Sequence, residues 1–163
     1  MTRWSRDKLD AVRIMALFGT ESGNAEEIAL GIRRSLRPQA VDVVNMADAG
    51  PDIFESDTFF LIVCSTHSSG ELPGFAQFLH DDLQQLAPDL AGVRYGMFGL
   101  GDTTYEEKYN RGSRLLDELL RSLGATRVGQ FGQHDAMSRL DHIVVGVAWA
   151  SAVLQTAKVL PSE

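Results

Sequence analysis

The sequence contains only one cysteine, Cys64, among its 163 residues. A single cysteine excludes an internal disulfide bond and any metal site built from several thiolates. The four histidines stand at positions 67, 80, 134 and 142, without the spacing that zinc ligands show. Because Cys64 lies in an apolar run, we expect its thiol to be buried in the core, and we expect no metal site.

Long apolar runs and an excess of basic residues are also lacking. The longest apolar stretches, Phe59–Cys64 and Ile143–Ala150, are much shorter than the ~20 residues that span a bilayer. Residues 1–15 do not have the pattern of a secretory signal, so we expect a cytoplasmic protein that contacts no membrane. The net charge of −7 argues against nucleic-acid binding and favours basic protein partners.

Short apolar runs alternate with helical patterns along most of the chain. Residues 1–12 are polar and predict a leader, whereas residues 13–160 predict one domain. The predicted strands are Ile14–Phe18, Val41–Val44, Phe59–Cys64, Tyr95–Leu100 and Arg127–Phe131. The predicted helices are Ala25–Leu36, Phe75–Leu86, Gly112–Leu123 and Arg139–Lys158, with one helical turn at Pro51–Phe54. This alternation predicts an α/β fold, a three-layer sandwich in which helices cover both faces of a five-stranded parallel sheet.

The loop after the first predicted strand, Gly19–Ala25, has the composition of an anion site. Thr20, Ser22 and Asn24 offer side-chain donors, and the following helix adds N–H groups and a partial positive charge. The loop lacks the lysine that a nucleotide-hydrolysing P-loop requires. It therefore predicts a site for a phosphate group that is held and not transferred. The alternative is an ordinary capped helix start.

Two further loops follow the third and fourth predicted strands and should reach the same edge of the sheet. Ser65–Gly74 contains His67, whose ring can lie against a flat ligand. Gly99–Asn110 contains Tyr105 and Tyr109, which offer aromatic faces for stacking. Each loop alone also fits an ordinary surface loop, but together the three loops predict a ligand with a phosphate group and a planar ring.

The three loops resemble motifs of the flavodoxin family. Thr20–Asn24 resembles the phosphate loop T-x-T/S-G-N-T. Ser65–Pro73 is similar to the S-T-H-G-x-G-x-x-P loop of MioC-type flavodoxins and to the A-T-Y-G-x-G loop in the FMN domains of diflavin reductases. Phe98–Glu106 resembles the F-G-L-G-N-x-x-Y-E segment of those domains. The resemblance implies a short-chain, flavodoxin-like fold with strand order 2-1-3-4-5 and a non-covalently bound FMN.

The resemblance also implies which residues contact FMN. Thr20–Ala25 would hold the phosphate, while Ser65–Ser68 and Leu100–Tyr105 would border the ring. The full implied set is Thr20, Glu21, Ser22, Gly23, Asn24, Ala25, Ser65, Thr66, His67, Ser68, Leu100, Gly101, Asp102, Tyr105, Asn110 and Asp135.

The sequence departs from the family pattern at two positions that matter for chemistry. Ala25 replaces a threonine and so removes one hydroxyl donor to the phosphate. Ser68 replaces the glycine beside the flavin N5, whose peptide changes conformation when the flavin takes up one electron. Because a Cβ atom costs about 1 kcal/mol in such a conformation, we expect the one-electron-reduced form to be weakly populated.

The expected function is electron transfer by a monomer. The protein would carry electrons from a flavodoxin/ferredoxin-type NADP reductase to an acceptor enzyme, and the flavin would supply the chemistry. An alternative is an FMN-dependent oxidoreductase similar to quinone reductases, which needs a nicotinamide site of its own. A response-regulator-like receiver is a third possibility, but it needs an aspartate where the third strand ends in Cys64–Ser65.

Overall fold

The computed structural model describes residues 12–20, 22–65, 74–101 and 111–159. Within these residues, the structure has six strands and four α-helices. The strands are β1 (Arg13–Gly19), β2 (Val41–Asn45), β3 (Thr58–Ser65), β4 (Arg94–Gly101), β5 (Thr126–Arg127) and β6 (Gly132–Asp135). The helices are α1 (Asn24–Ser35), α2 (Gly74–Leu86), α3 (Arg111–Ser122) and α4 (His142–Thr156), with short 3₁₀ helices at Met46–Asp48 and Pro51–Ile53.

All described strand pairs are parallel, and their order is β2-β1-β3-β4-β5, with β6 also paired to β4. This order confirms the arrangement 2-1-3-4-5. Because β1 and β3 lie at the centre of the sheet with both faces covered, they consist of nearly continuous apolar residues.

The core consists of two clusters, one on each face of the sheet. On one face, Leu17 and Phe60 pack with α2 and α3 through side chains such as Leu83. On the other face, Phe18 and Leu61 pack with α1 and α4. Neighbouring strand residues point to opposite faces, so each strand contributes to both clusters. The helices therefore cover both sides of the sheet, as the alternating pattern predicts.

The fifth strand differs from its predicted extent, Arg127–Phe131. Two short strands occupy this position, because β5 pairs with the start of β4 and β6 pairs with its end. The Val128 N–H still donates to the Tyr95 carbonyl oxygen at 2.7 Å, but Gly129 then has a φ of +76°. That left-handed conformation cannot continue a strand, so the chain leaves the sheet edge and returns at Gly132.

The last helix begins at His142 and not at Arg139, where the sequence pattern places it. Asp141 is the N-cap residue, and its Oδ1 accepts hydrogen bonds from the N–H groups of Ile143 and Val144 at 2.8 and 3.1 Å. A carboxylate that caps a helix in this way marks its first turn. Among the residues that the structure describes, no helix is long and apolar enough to cross a membrane.

Candidate functional site

Four strands end at the same edge of the sheet, and their last residues form the floor of the candidate site. The register places Gly19 beside Cys64, Ser65 beside Leu100, and Gly101 beside Asp135. In parallel α/β sheets, ligands bind beyond this carboxyl edge. The fold thus brings the predicted phosphate loop together with Ser65, Leu100, Gly101 and Asp135.

The phosphate loop begins at Gly19, where β1 packs very closely against its neighbours. A Cβ atom added there would lie 2.8 Å from the Met46 Sδ and 3.0 Å from the Ala76 Cβ. The next residue is Thr20, whose Oγ1 accepts a hydrogen bond of 2.8 Å from the Gly23 N–H, three residues further along the chain. Gly23 itself has a φ of +92°, which turns the chain into α1. These contacts fix the curvature of the loop.

The N-terminus of α1 leaves backbone donors open toward the sheet edge. Gly23 is the N-cap residue and has no side chain to accept a hydrogen bond. In the described part of the chain, the N–H groups of Asn24, Ala25 and Glu26 have no hydrogen-bond partner. Three open donors and a helix dipole suit an anion. The Thr20 hydroxyl accepts from Gly23 and still has its own proton to donate.

The remaining predicted residues of this loop divide between the surface and the core. The side chains of Ser22 and Asn24 are exposed and therefore accessible to a ligand. Ala25 is fully buried in the cluster that contains Phe18 and Ile28. Because the Ala25 side chain is a methyl group without a hydrogen-bond donor, only its backbone N–H can serve a phosphate.

The residues predicted to border the ring follow the ends of β3 and β4. Ser65 and Gly101 are half-buried, and Leu100 is buried in the same cluster as Phe18. The Cys64 thiol donates to the Ser65 carbonyl oxygen at 3.4 Å. Burial raises the pKa of Cys64 to about 12, so the thiol stays protonated and is not a nucleophile. Cys64 is thus a buried core thiol, as its sequence context predicts.

Asp135, at the end of β6, lies at the site edge and also orders the turn that follows. Its Oδ1 accepts from the Met137 N–H at 3.0 Å, and its carbonyl oxygen accepts from the Ser138 N–H at 2.9 Å. The Ala136 N–H donates to the Gly101 carbonyl oxygen at 2.8 Å. The turn is therefore hydrogen-bonded directly to the strand that borders the site.

Several predicted contacts lie outside the described residues. They are Glu21, Thr66, His67, Ser68, Asp102, Tyr105 and Asn110.

The structure also shows a cluster that the sequence patterns did not indicate. His142 lies at the start of α4, and its Nε2 is 3.3 Å from the Glu27 Oε2 in the first turn of α1. The His134 ring stands edge-on to the His142 ring, with centroids 5.9 Å apart. This cluster connects the first turns of two helices. It depends on tertiary contacts across 115 residues of chain, which no local motif reveals.

The family model described as Flavodoxin matches residues 17–144 of this chain. The chain belongs to the flavodoxin family. Solved flavodoxins agree with this assignment: a cysteine-to-serine variant of flavodoxin from Pseudomonas aeruginosa superposes with a TM-score of 0.77 at 26% identity, covering 90% of this chain and 99% of that one. Flavodoxin 2 from Bacillus cereus superposes with a TM-score of 0.75 at 27% identity, covering 88% of this chain and 98% of that one.

Curated relatives in the flavodoxin family include parts of much longer proteins. The sulfite reductase [NADPH] flavoprotein alpha-component of Thiocapsa roseopersicina is 39% identical over 119 residues, which are 71% of this chain and 23% of that protein. The NADPH-dependent diflavin oxidoreductase 1 of Yarrowia lipolytica is 37% identical over 144 residues, 85% of this chain and 21% of that protein. The chain thus spans less than a quarter of these relatives.

Membership in the flavodoxin family identifies the cofactor as FMN and the role as electron transfer. The open helix N-terminus at the carboxyl edge of the sheet suits the phosphate of that cofactor.

Proposed function

We propose that this chain is an electron carrier between two other proteins, a flavodoxin/ferredoxin-type NADP reductase and an acceptor enzyme. The proposal rests on the open N-terminus of α1 at the sheet edge. Its backbone N–H groups can bind a phosphate, and the loop has no lysine of the kind that phosphate transfer requires. The names of the two relatives include NADPH, yet this chain matches less than a quarter of either. We therefore assign the oxidation of NADPH to a reductase outside these 163 residues.

In this proposal, the chain holds FMN through the full predicted set of contacts. Backbone N–H groups of α1 and the Thr20 hydroxyl would bind the phosphate, and the ends of β3 and β4 would border the ring. The flavin supplies the electron-transfer chemistry when it is bound. The protein contributes orientation, exclusion of water from the buried side, and hydrogen bonds. Of this set, the structure describes Thr20, Ser22, Gly23, Asn24, Ala25, Ser65, Leu100, Gly101 and Asp135.

We extend the proposal to a monomer that works in the cytoplasm. A carrier that exchanges electrons with two partners in turn needs its cofactor edge to be accessible to each of them. The cytoplasm is the compartment that holds the NADPH which the proposed reductase would consume. No part of the proposal requires a metal ion or nucleic acid.

The dependence of NADPH oxidation on a separate reductase tests this function. FMN-loaded protein is mixed anaerobically with NADPH, first alone and then with a catalytic amount of a bacterial flavodoxin reductase. We expect negligible NADPH oxidation by the protein alone, and reduction of its flavin once the reductase is added. Rapid NADPH oxidation without the reductase would contradict the carrier role and favour an FMN-dependent oxidoreductase.

A further inference from the structure

A polar pocket of about 380 Å³ lies between α3 and the strands β5 and β6 at the edge of the sheet. Three of its lining residues are arginines: Arg114 and Arg121 belong to α3, and Arg127 belongs to β5. We call these three residues the arginine cluster. The volume of the pocket lies within the range of about 300–1,000 Å³ that is usual for small-molecule sites.

The two arginines of α3 lie on the same side of that helix. Arg114 and Arg121 are separated by two helical turns, and both are exposed. Asp117 and Glu118, which also line the pocket, lie between them. Because residues three, four and seven positions apart share one side of a helix, this side of α3 forms the charged wall of the pocket.

Asp117 is the buried anchor of this wall. Its Oδ1 accepts a hydrogen bond of 2.6 Å from the Tyr95 hydroxyl, and its Oδ2 accepts one of 2.7 Å from the Arg127 Nη1. The Arg127 guanidinium also lies 5.6 Å from the centre of the Phe131 ring. These contacts hold Arg127 in place before a ligand binds, which reduces the entropy that binding costs.

Positive charge exceeds negative charge in the pocket, although the net charge of the whole chain is −7. Among the described lining residues, the three arginines outnumber the two carboxylates, those of Asp117 and Glu118. The Asp117 Oδ2 is 4.0 Å from the Arg121 Nη1, which is beyond hydrogen-bond distance. Because the Arg121 side chain is 59% exposed, its N–H donors are accessible to a ligand.

A phosphate group matches the chemistry of the arginine cluster. Guanidinium groups bind phosphate oxygens through paired, charge-assisted N–H donors. The arginines come from two elements, α3 and β5, so different oxygens of one phosphate can be bound by different arginines. A bare phosphate would fill only part of the pocket, and the Phe131 ring offers an apolar surface for the rest of a ligand.

The arginine cluster is separate from the proposed site for the FMN phosphate. Helix α3 packs through Leu116 and Leu120 on the face of the sheet that holds Leu17 and Phe60. Helix α1 packs on the opposite face. A phosphate at the N-terminus of α1 would therefore leave the pocket accessible.

We propose that the arginine cluster binds a small phosphomonoester in addition to FMN. The guanidinium groups of Arg121 and Arg127 bind the phosphate oxygens, and the organic part lies against Phe131. This proposal goes beyond electron transfer and does not depend on the carrier role.

Calorimetric titration of the FMN-loaded protein with adenosine 5′-monophosphate (AMP) at low ionic strength tests this site. Bound FMN keeps the N-terminus of α1 occupied during the titration. We expect one AMP to bind per chain, with inorganic phosphate bound at least about threefold more weakly, because it has no group to contact Phe131. Adenosine, which lacks the phosphate, should not bind measurably.

Two variants should change the affinity for AMP in opposite directions. R121Q should raise the AMP dissociation constant about tenfold, since it removes a charge-assisted contact. E118Q should lower the constant about threefold, since it removes a negative charge beside the phosphate. A tighter complex in E118Q cannot result from a loss of folding.

The matched control is R33Q, because Arg33 is also exposed but lies in the last turn of α1, on the other face of the sheet. It removes the same charge as R121Q. We expect R33Q to leave the AMP dissociation constant within about twofold of the wild type, since a distant surface charge is screened by solvent and salt.

No binding of AMP to the FMN-loaded protein at millimolar concentration would overturn the proposal. It would also be overturned if R33Q weakened binding as much as R121Q, or if adenosine bound as tightly as AMP. Inorganic phosphate bound as tightly as AMP would overturn the assignment of an ester. The requirement for a separate reductase in NADPH oxidation tests the carrier role independently of these results.

Discussion

Two strand-to-helix connections reach the same edge of the sheet, but their helices begin in opposite ways. The β1–α1 connection ends at Gly23, a capping residue without a side chain, and the first N–H groups of α1 stay open. The β6–α4 connection ends at Asp141, whose carboxylate accepts from two of the first N–H groups of α4. One helix start is ready for an anion, whereas the other already holds the carboxylate of its own chain.

The two connections also differ in where their apolar side chains lie. Ala25 and Ile28 in the first turns of α1 are fully buried, so this connection presents mainly backbone donors and small polar groups. Leu140 and Val144 at the start of α4 are two-thirds exposed. The comparison shows that the capping residue and the burial of the first turn decide what such a connection can bind. A small anion suits the open helix start of the first connection, whereas the carboxylate cap already occupies the helix start of the second.

The largest effect is expected when the glycine cap of α1 is replaced by the aspartate type of cap that α4 has. G23D gives α1 the carboxylate that α4 has, so the helix N-terminus would be occupied and a phosphate would be repelled. We expect the dissociation constant for FMN to rise about 100-fold, because charge repulsion adds to the loss of open donors. Isothermal titration of the apoprotein with FMN measures the change. A dissociation constant within threefold of the wild type would contradict the assigned phosphate site.

Changing only the backbone preference should give a smaller effect. A Cβ atom at Gly23 would meet no other atom within 4 Å, so G23A differs from the wild type mainly through the cost of its φ of +92°. That cost is about 1–2 kcal/mol for an L-residue. We expect an increase of about fivefold to tenfold in the FMN dissociation constant, since the strained residue pulls the loop away from its geometry.

Gly92 provides the matched control for G23A. Its φ is +89°, and its nearest neighbour for an added Cβ atom is 3.6 Å away, in a turn before β4. G92A should lower the free energy of unfolding about as much as G23A, by about 1–2 kcal/mol, yet leave FMN affinity unchanged. If G92A weakened FMN binding as strongly as G23A, the effect would reflect general destabilisation.

The second connection offers the smallest predicted change, a pH-dependent effect on stability. Hydrogen bonds from the N–H groups of Val144 and Ile143 hold the pKa of Asp141 below its usual value of 3.8. A lowered pKa means that the ionised cap stabilises the fold above pH 4 and loses this contribution as the pH falls through the lowered value. We expect D141A to lower the melting temperature by a few degrees at pH 7 and by less near pH 3.

D141N separates the charge of the cap from its hydrogen bonds. Asparagine also caps helices but does not titrate in this range. The difference in melting temperature between D141N and D141A should therefore be nearly independent of pH. If the difference in melting temperature between the wild type and D141A stayed constant from pH 7 to pH 3, ionisation of Asp141 would not contribute to stability.

The central strands were predictable from the sequence because they are buried on both faces. The predicted strands Ile14–Phe18, Phe59–Cys64 and Tyr95–Leu100 each differ from β1, β3 and β4 by one residue at either end. The predicted extent of the fifth strand was wrong, because the sequence does not show whether Gly129 lies in a turn or in a strand. In the fold, Gly129 has a φ of +76° and packs closely on α4, where an added Cβ atom would lie 3.0 Å from a Val153 methyl carbon.

The phosphate loop was predictable from its residue types, but the exposure of Leu140 and Val144 was not. Small and hydroxyl residues before a helix indicate an anion site wherever they stand. By contrast, Leu140 and Val144 continue an apolar run, which in a sequence indicates burial. Their exposure follows from the start of α4 at His142, set by the Asp141 cap, and from the way α4 packs on the sheet.

Comparative binding of FMN and riboflavin tests the central claim most directly. The two ligands share the ring, and only FMN has the phosphate that the open N-terminus of α1 should bind. We expect purified protein to be yellow, and the apoprotein to bind one FMN per chain, with riboflavin bound at least about tenfold more weakly. Apoprotein that does not bind FMN at micromolar concentration, or that binds riboflavin equally well, would contradict the account.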